Sequence, residues 1–583
     1  MCRARHFYLL LLVLGLVASA AYAQEADPAA DSGPSLGSLV GGPPGRLADQ
    51  PVKRYVESPG RQPSTVGRSP TAIAVITNEM IRRSGARTVP DLFRMVPGLF
   101  VAKIDANKWS VSSRGFSGRF ARKLLVQIDG RTVYTPLFGG TFWDAQDVLL
   151  EDVQRIEVIR GPGATVWGAN AVNGVINIIT KSAEKTHGSY AEVGGGNQER
   201  GFASARIGNQ TDNGVHWRVH GKWFDRNRQF EPLGRSHDDW RQGRVGFRMD
   251  WSATDCDNVT FQGDYYKGSS GNTSTQLPFG FVVDDAPVSG SNVLLRWTRD
   301  LGDESNVSAQ LYYDRTDRRT ISLDQNINII DFDLVHRFKY DEYQKIVCGF
   351  GYRRIWDHLP STIPAQFAVA PVSRTMETVS GFIQDEIMLA EDQLYATIGT
   401  KISDNAFTDF EVQPSARLLW LPSEDSAVWS AVSRAVRIPS RIEHDGLLVL
   451  GQVPPPAPPG VPFVLRGQRS VESEELIAYE LGYRQQTSDS FSWDIAAFYN
   501  VYENLTSLRA TPGGPVPPTL DAFNGESGHG YGFELSADLR MNRWWKMSGY
   551  YSLLRLDIDS DPAAVVDPGV TSNAKPGILD VEF

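Results

Sequence analysis

Gly163 and Gly168 stand at the spacing of the first and second glycines of a phosphate-binding loop. The residues that follow are Ala169 and Asn170, not Lys and Ser or Thr, so the charge such a loop needs for phosphate is missing. The alternative is a Gly-rich turn in a β protein. His237-Asp238-Asp239 and His444-Asp445 are the candidate metal ligands. Two or three adjacent side chains rarely converge on one ion without partners elsewhere, so they read better as solvated loop residues, and no metal is assigned. Cys2 falls in a leader, and Cys256 and Cys348 sit in a turn and a strand. Neither context suggests the tight Cα spacing of a disulfide, so two free thiols are expected. No catalytic constellation emerges. The chain is not read as an enzyme, and no cofactor is expected.

The elements around those glycines are more informative. Arg155 to Arg160 alternates and is rich in β-branched residues, which reads as a strand. Gly161-Pro162-Gly163 breaks it, and Val175 to Thr180 alternates again. The glycines at 161, 163, 168 and 174 suggest turns where backbone packs closely on backbone.

The chain opens with Arg3, Arg5 and His6, an apolar run from Phe7 to Val17, and Ala21-Tyr22-Ala23. This pattern reads as a signal peptide over 1–23, with the mature chain starting at Gln24. The run is shorter than the ~20 residues of a spanning helix, and no later stretch is as long and apolar. A β-barrel remains open, because alternation hides its hydrophobicity. The net charge of −10 argues against a nucleic-acid partner.

Residues 24–70 are rich in Gly, Pro, Ser and Ala and read as a flexible leader. Asp49 to Ser58 is its one extended-looking patch. Residues 71–183 read as a compact α/β unit. It holds a strand at Ala72–Ile76, a helix capped by Thr77 or Asn78, a second helix stopped by Pro97-Gly98, and a buried strand ending in the Asp129-Gly130 turn. From Gly188 onward the pattern is one of long alternating strands. Val215, Trp217, Val219, Gly221 and Trp223 oppose His216, Arg218, His220 and Lys222. Tyr531, Phe533 and Leu535 oppose Glu534 and Ser536. A period of two puts each apolar set on one face. The strand length, the aromatic ends, and the alternation of short turns with long polar loops such as 437–472 favour a lipid-embedded barrel over a soluble sandwich.

Val96-Pro97-Gly98-Leu99, Ser113-Arg114-Gly115-Phe116, Leu125 to Arg131 and Arg155 to Thr180 together resemble the plug of TonB-dependent outer-membrane receptors. The resemblance covers most of 71–183. It implies a transmembrane antiparallel β-barrel over 187–583 with the α/β plug in its lumen, in the outer membrane of a Gram-negative bacterium, as a monomer. It also implies a TonB box that adds a strand to the energy-transducing protein TonB. The candidate is 49–58, with Asp49, Pro51, Val52, Tyr55 and Val56. Arg114 and Arg160 match plug arginines that meet barrel glutamates, and Glu480 and Glu534 match those glutamates. Lys103, Trp109, Tyr134, Phe138, Phe142 and Trp143 are the implied ligand-facing residues at the plug apices, with plug core as the alternative for the aromatics, since large aromatic rings are mostly buried.

The family pattern is 22 strands, whereas about 17 to 18 are readable here. The barrel is therefore expected to be incomplete, with an open seam near Tyr190 and Tyr551, and Ile578–Phe583 as one brief further strand. The resemblance implies TonB-dependent import of a scarce bulky nutrient, with a ferric siderophore as the leading ligand and a metal chelate as its chemistry. Cobalamin, haem or an oligosaccharide are alternatives, as are a receptor that does not transport and a non-functional remnant.

Overall fold

The computed structural model describes residues 51–230, 236–276, 280–363, 367–452, 462–511, 519–542 and 544–564. The expected signal peptide, the expected leader up to residue 50 with Asp49, and Ile578–Phe583 lie outside the described residues.

The plug is built on a five-stranded sheet. Its spatial order is Ala72–Thr77, Val153–Arg160, Gly174–Thr180, Leu124–Ile128 and Arg131–Thr132. Leu124–Ile128 runs parallel to Gly174–Thr180, and both are buried over most of their length. Burial on two faces explains their unbroken apolar runs. Asp129 and Gly130, at φ 51° and 82°, make the two-residue turn that the Asp-Gly pair suggested. Helix Asn78–Ser84 starts where the Thr77 hydroxyl accepts the Met80 N–H, and it ends at Gly85 with φ 70°. Helix Val89–Leu92 continues as a short 3-10 turn to Met95.

A 20-stranded sheet surrounds the plug, running from Gly188–Gly194 to Lys546–Ser560. Three short strands, Phe367–Val369, Gly446–Gln452 and Pro462–Arg466, belong to its rim. The strands flanking them pair directly, Gln344–His358 with Ser373–Ala390 and Ser426–Arg437 with Glu474–Ser488. The remaining seventeen form an antiparallel meander among the described residues, in line with the number read from the sequence. Alternation sorts the faces as expected. Val219, Trp223, Leu311 and Leu535 are exposed outward, while Arg218, Gln310 and Glu534 are buried in the lumen. Asp303 and Glu304 both take positive φ in the tight turn of one hairpin.

The edges of this sheet are Gly188–Gly194, which pairs with Glu199–Gln210, and Lys546–Ser560, which pairs with Thr519–Arg540. Among the described residues no ladder joins them, so the strands of Tyr190 and Tyr551 face an open seam. The plug spans it. Arg87 reaches Glu192 at 2.7 Å and Glu199 at 3.0 Å on one side, and the Tyr550 hydroxyl donates to the Arg94 carbonyl on the other.

One boundary differs from the sequence reading. Residues 51–70, expected as part of a flexible leader, are folded onto the plug. Tyr55–Val56 pairs with Ser64–Thr65, and Val56 is fully buried against Val66, Ile73, Val75 and Ile159. The Glu157 carboxylate accepts the N–H groups of Glu57 at 3.1 Å and Ser58 at 2.8 Å. Composition misleads here because a few buried valines, Val52, Val56 and Val66, and two satisfied amides anchor a Gly/Pro-rich segment.

Candidate functional site

Arg114 and Arg160 leave different plug segments and converge on the same two barrel carboxylates. Arg160 ends the strand Val153–Arg160. Arg114 follows the strand Trp109–Ser113 and itself has φ 53°, with Gly115 at 92° and Phe116 at 52°. That left-handed run turns the guanidinium toward the wall. Arg114 Nη1 lies 2.8 Å from Glu480 Oε1, and its Nε lies 3.4 Å from Glu534 Oε1. Arg160 Nη1 lies 2.9 Å from Glu534 Oε2 and donates to the Pro97 carbonyl at 3.2 Å. Phe498 covers Arg114 at 4.3 Å from its ring centre. All four charged side chains are buried. The structure thus brings together the four residues that the resemblance paired.

The neighbouring glycines are required by this cluster. A Cβ on Gly98 would lie 2.5 Å from Glu534 Oε1, and one on Gly161 would overlap Glu480 Oε1. Both glycines also have positive φ, at 77° and 110°.

A second ionic cluster, absent from the sequence reading, ties the plug apex to the rim. Arg437 is bonded to Glu443 at 2.8 and 2.9 Å and to Glu474 at 2.6 Å. The plug adds Arg122, at 2.9 Å from Glu443, and Lys123, which pairs with Glu474. Glu443 lies in helix Arg441–Asp445, whose N–H groups at Arg441 and Ile442 donate to Pro136 and Leu137 of the plug. Burial alone would raise the Glu443 carboxyl, but the guanidiniums of Arg437 and Arg122 outweigh it and hold it at about 2. Rim strands extend this cover. Phe367–Val369 pairs with Gly446–Gln452, which pairs with Pro462–Arg466, which runs parallel to the start of Thr519–Arg540. The described parts of the segment read as a polar loop, 437–452 and 462–472, therefore form a structured lid. Ser440 and Glu443 form a complete capping box, a spacing that was readable in the sequence.

The lid changes the reading of the apex aromatics. Trp109, Phe138, Phe142 and Trp143, expected to face ligand, are each at most 8% exposed. Trp109 packs edge-on to Trp240, and Trp143 edge-on to Phe93. Phe138 and Phe142 join a core with Tyr312, Phe367 and Ile442. In this structure those rings are core: barrel and rim side chains cover Trp109, Phe138 and Phe142, and Phe93 of the plug packs on Trp143. Lys103 is exposed beside Trp109, and half-buried Tyr134 donates to the Arg122 carbonyl at 2.8 Å.

The other candidates have local partners. Asp238 accepts the Ala106 N–H at 2.7 Å, and His237 meets Asp285 at 3.0 Å. His444 contacts the Val471 carbonyl at 3.0 Å, and Asp445 is held by Arg374, Arg441 and Arg469. Cys256 and Cys348 are free thiols. Of the candidate TonB box, Pro51 to Lys53 form a short 3-10 turn, Val52 and Val56 are buried, and Tyr55 stacks with Arg155 at 4.9 Å. As folded here its strand edge is already occupied by Ser64–Thr65.

Both parts of this arrangement, the plug and the barrel around it, match known families. The family described as TonB dependent receptor-like, beta-barrel matches residues 187–577, and the TonB-dependent Receptor Plug Domain matches 65–175. The chain belongs to the TonB-dependent receptors. Members of this family are outer-membrane β-barrels of Gram-negative bacteria. Among solved structures, the siderophore receptor PirA from Acinetobacter baumannii has a TM-score of 0.68 at 16% identity, over 83% of each chain. The ferric enterobactin receptor PfeA from Pseudomonas aeruginosa has a TM-score of 0.68 at 18% identity, over 84% of this chain and 85% of that one. At such identities the likeness is one of fold. Among curated relatives, the vitamin B12 transporter BtuB of Vibrio vulnificus is 31% identical over 137 residues, 23% of this chain. That of Vibrio cholerae is 26% identical over 183 residues. The match to the first spans about a fifth of that relative's length, 22%, and the match to the second 30%.

Proposed function

We propose that this receptor imports a scarce, bulky metal chelate, a ferric siderophore in the leading reading, across the outer membrane with energy delivered through TonB. The observation that carries the reading is the plug held in the lumen by Arg114, Arg160, Glu480 and Glu534. A bulky solute passes only if the plug moves, and those buried pairs resist its movement. The outer membrane holds no ATP, so the work must come from a partner that pulls on the plug. The segment at 49–58 is the candidate handle, by addition of a strand to TonB. The resemblance in fold to receptors for siderophores supports the ligand class, and the partial likeness to vitamin B12 transporters keeps cobalamin as the second reading. The test is uptake of radio-iron siderophores and of labelled cobalamin by cells expressing the chain, with and without a protonophore. Import of one ligand that collapses with the proton gradient is expected. Uptake that survives the protonophore, or no uptake of either class, overturns the proposal.

A further inference from the structure

Lys401 lies on the strand Leu394–Asn405 with its side chain buried in the lumen, at 8% exposure. Its ammonium has no hydrogen-bond or ion-pair partner among the described residues, and it lies 5.5 Å from the ring centre of Phe382. The carboxylates of that region are already engaged. Asp333 pairs with Arg61 at 3.0 Å and Asp331 with Arg353 at 2.7 Å. Lys401 is thus the surplus cation of this group. Asp333 and Asp331 offset its charge only in part, since each also serves an arginine, and a water molecule would hydrogen-bond to the ammonium without neutralising it.

Gln413 stands directly opposite Lys401 on the neighbouring strand and is fully buried. Paired positions of this kind place Cβ atoms about 5 Å apart. Gln413 Oε1 accepts the Val436 N–H at 3.4 Å, which fixes the orientation of the amide and leaves Nε2 without an acceptor. The plug closes the space. A Cβ on Gly168, which has φ 86°, would lie 3.1 Å from Lys401 Cε, and the Asn170 N–H donates to the Val436 carbonyl at 2.8 Å. The glycine spacing at 163 and 168 lacks a following lysine in the sequence, but the fold brings an ammonium to Gly168 from the barrel wall.

We propose that Lys401 and Gln413 form a resident site for a small inorganic anion, a halide or phosphate, between the plug loop Gly168–Asn170 and the barrel. The ion accepts from Nζ and Nε2, neutralises the surplus charge, and fastens this plug loop to the wall. The test uses the purified full chain in detergent at constant ionic strength, with gluconate exchanged for chloride in one arm and for phosphate in the other. A saturable rise of the thermal midpoint is expected in at least one arm, and the arm that responds names the ion. Lys401→Met should lose the rise and, without the surplus charge, be at least as stable as the wild type in gluconate. Gln413→Leu, which keeps the charge, should need at least about tenfold more anion for half-saturation, as befits the loss of one hydrogen bond to a charged group. No saturable rise in either arm, the same rise in Lys401→Met, or unchanged half-saturation in Gln413→Leu overturns the proposal. If Lys401→Met does not fold, the comparison with Gln413→Leu decides alone.

Discussion

Arg160 Nη1 sits 2.9 Å from Glu534 Oε2, and neither side chain is more than 2% exposed. One residue ends a plug strand and the other faces the lumen from the barrel. Arg160→Ala would leave Glu534 with Arg114 alone, at 3.4 Å. Breaking a buried pair by removing one partner costs about 3–5 kcal/mol. The expected outcome is a looser plug. Cells carrying the variant at normal protein level should become sensitive to large antibiotics that the wild type excludes. Unchanged permeability would falsify a retaining role for the cluster.

The glycines beside those arginines should be as sensitive as the charges. Gly98→Ala places a methyl 2.5 Å from Glu534 Oε1 at a position with φ 77°. The left-handed backbone alone costs an L-residue about 1–2 kcal/mol, before any displacement of the carboxylate. Thermal unfolding of the purified protein should shift down by several degrees. Gly85→Ala serves as the control, because its φ of 70° is similar but nothing lies within 4 Å of the added methyl. Equal shifts in the two variants would show that only backbone strain matters.

The plug was legible because its chemistry is local. The Asp129-Gly130 turn, the Thr77 cap and the left-handed glycine after Arg160 are each fixed by a few adjacent residues. The barrel faces were legible because alternation has a period of two. The four-residue charge cluster became legible only through the resemblance, since nothing in the spacing of Arg114 and Glu480 marks them as neighbours. The burial of Phe138 and Phe142 depends on rim residues such as Phe367 and Ile442, far away in sequence. No local pattern could separate a ligand-facing ring from a covered one. The lid was missed for a related reason, because its strands pair only with other rim segments and its contacts, ionic and apolar alike, reach residues far away in sequence.

The lid should respond to acid. The Glu443 carboxyl is held at about 2, below its ordinary value of 4.5. A depressed carboxyl contributes stability that is complete above its unfolded value and is lost as pH falls through the folded one. The lid should therefore hold down to about pH 4.5 and loosen progressively toward pH 2. Pepsin, which works in this window, gives the readout through cleavage near Leu447. Protection at pH 4 and cutting near pH 2 are expected in the wild type. Glu443→Gln weakens the tie by about 1–3 kcal/mol and should be cut already at pH 4. Equal cutting of both proteins at pH 4 would remove Glu443 from the latch.

The folded state of residues 51–58 sets a condition on energy coupling. Tyr55 is paired with Thr65, and the Glu57 and Ser58 amides are bonded to Glu157. A strand already paired on one edge and anchored by Val56 cannot join a partner's sheet through the same groups without leaving the plug. If this segment is the handle, release must precede coupling. A Tyr55→Cys/Thr65→Cys pair in a Cys256→Ser background would lock the hairpin when oxidised. Ligand binding should be unaffected in both redox states. Uptake should be lost on oxidation and restored by a reductant, whereas deleting 49–58 should abolish uptake irreversibly. Full uptake by the oxidised protein would place the handle outside the hairpin and leave 55–65 as a fixed part of the plug.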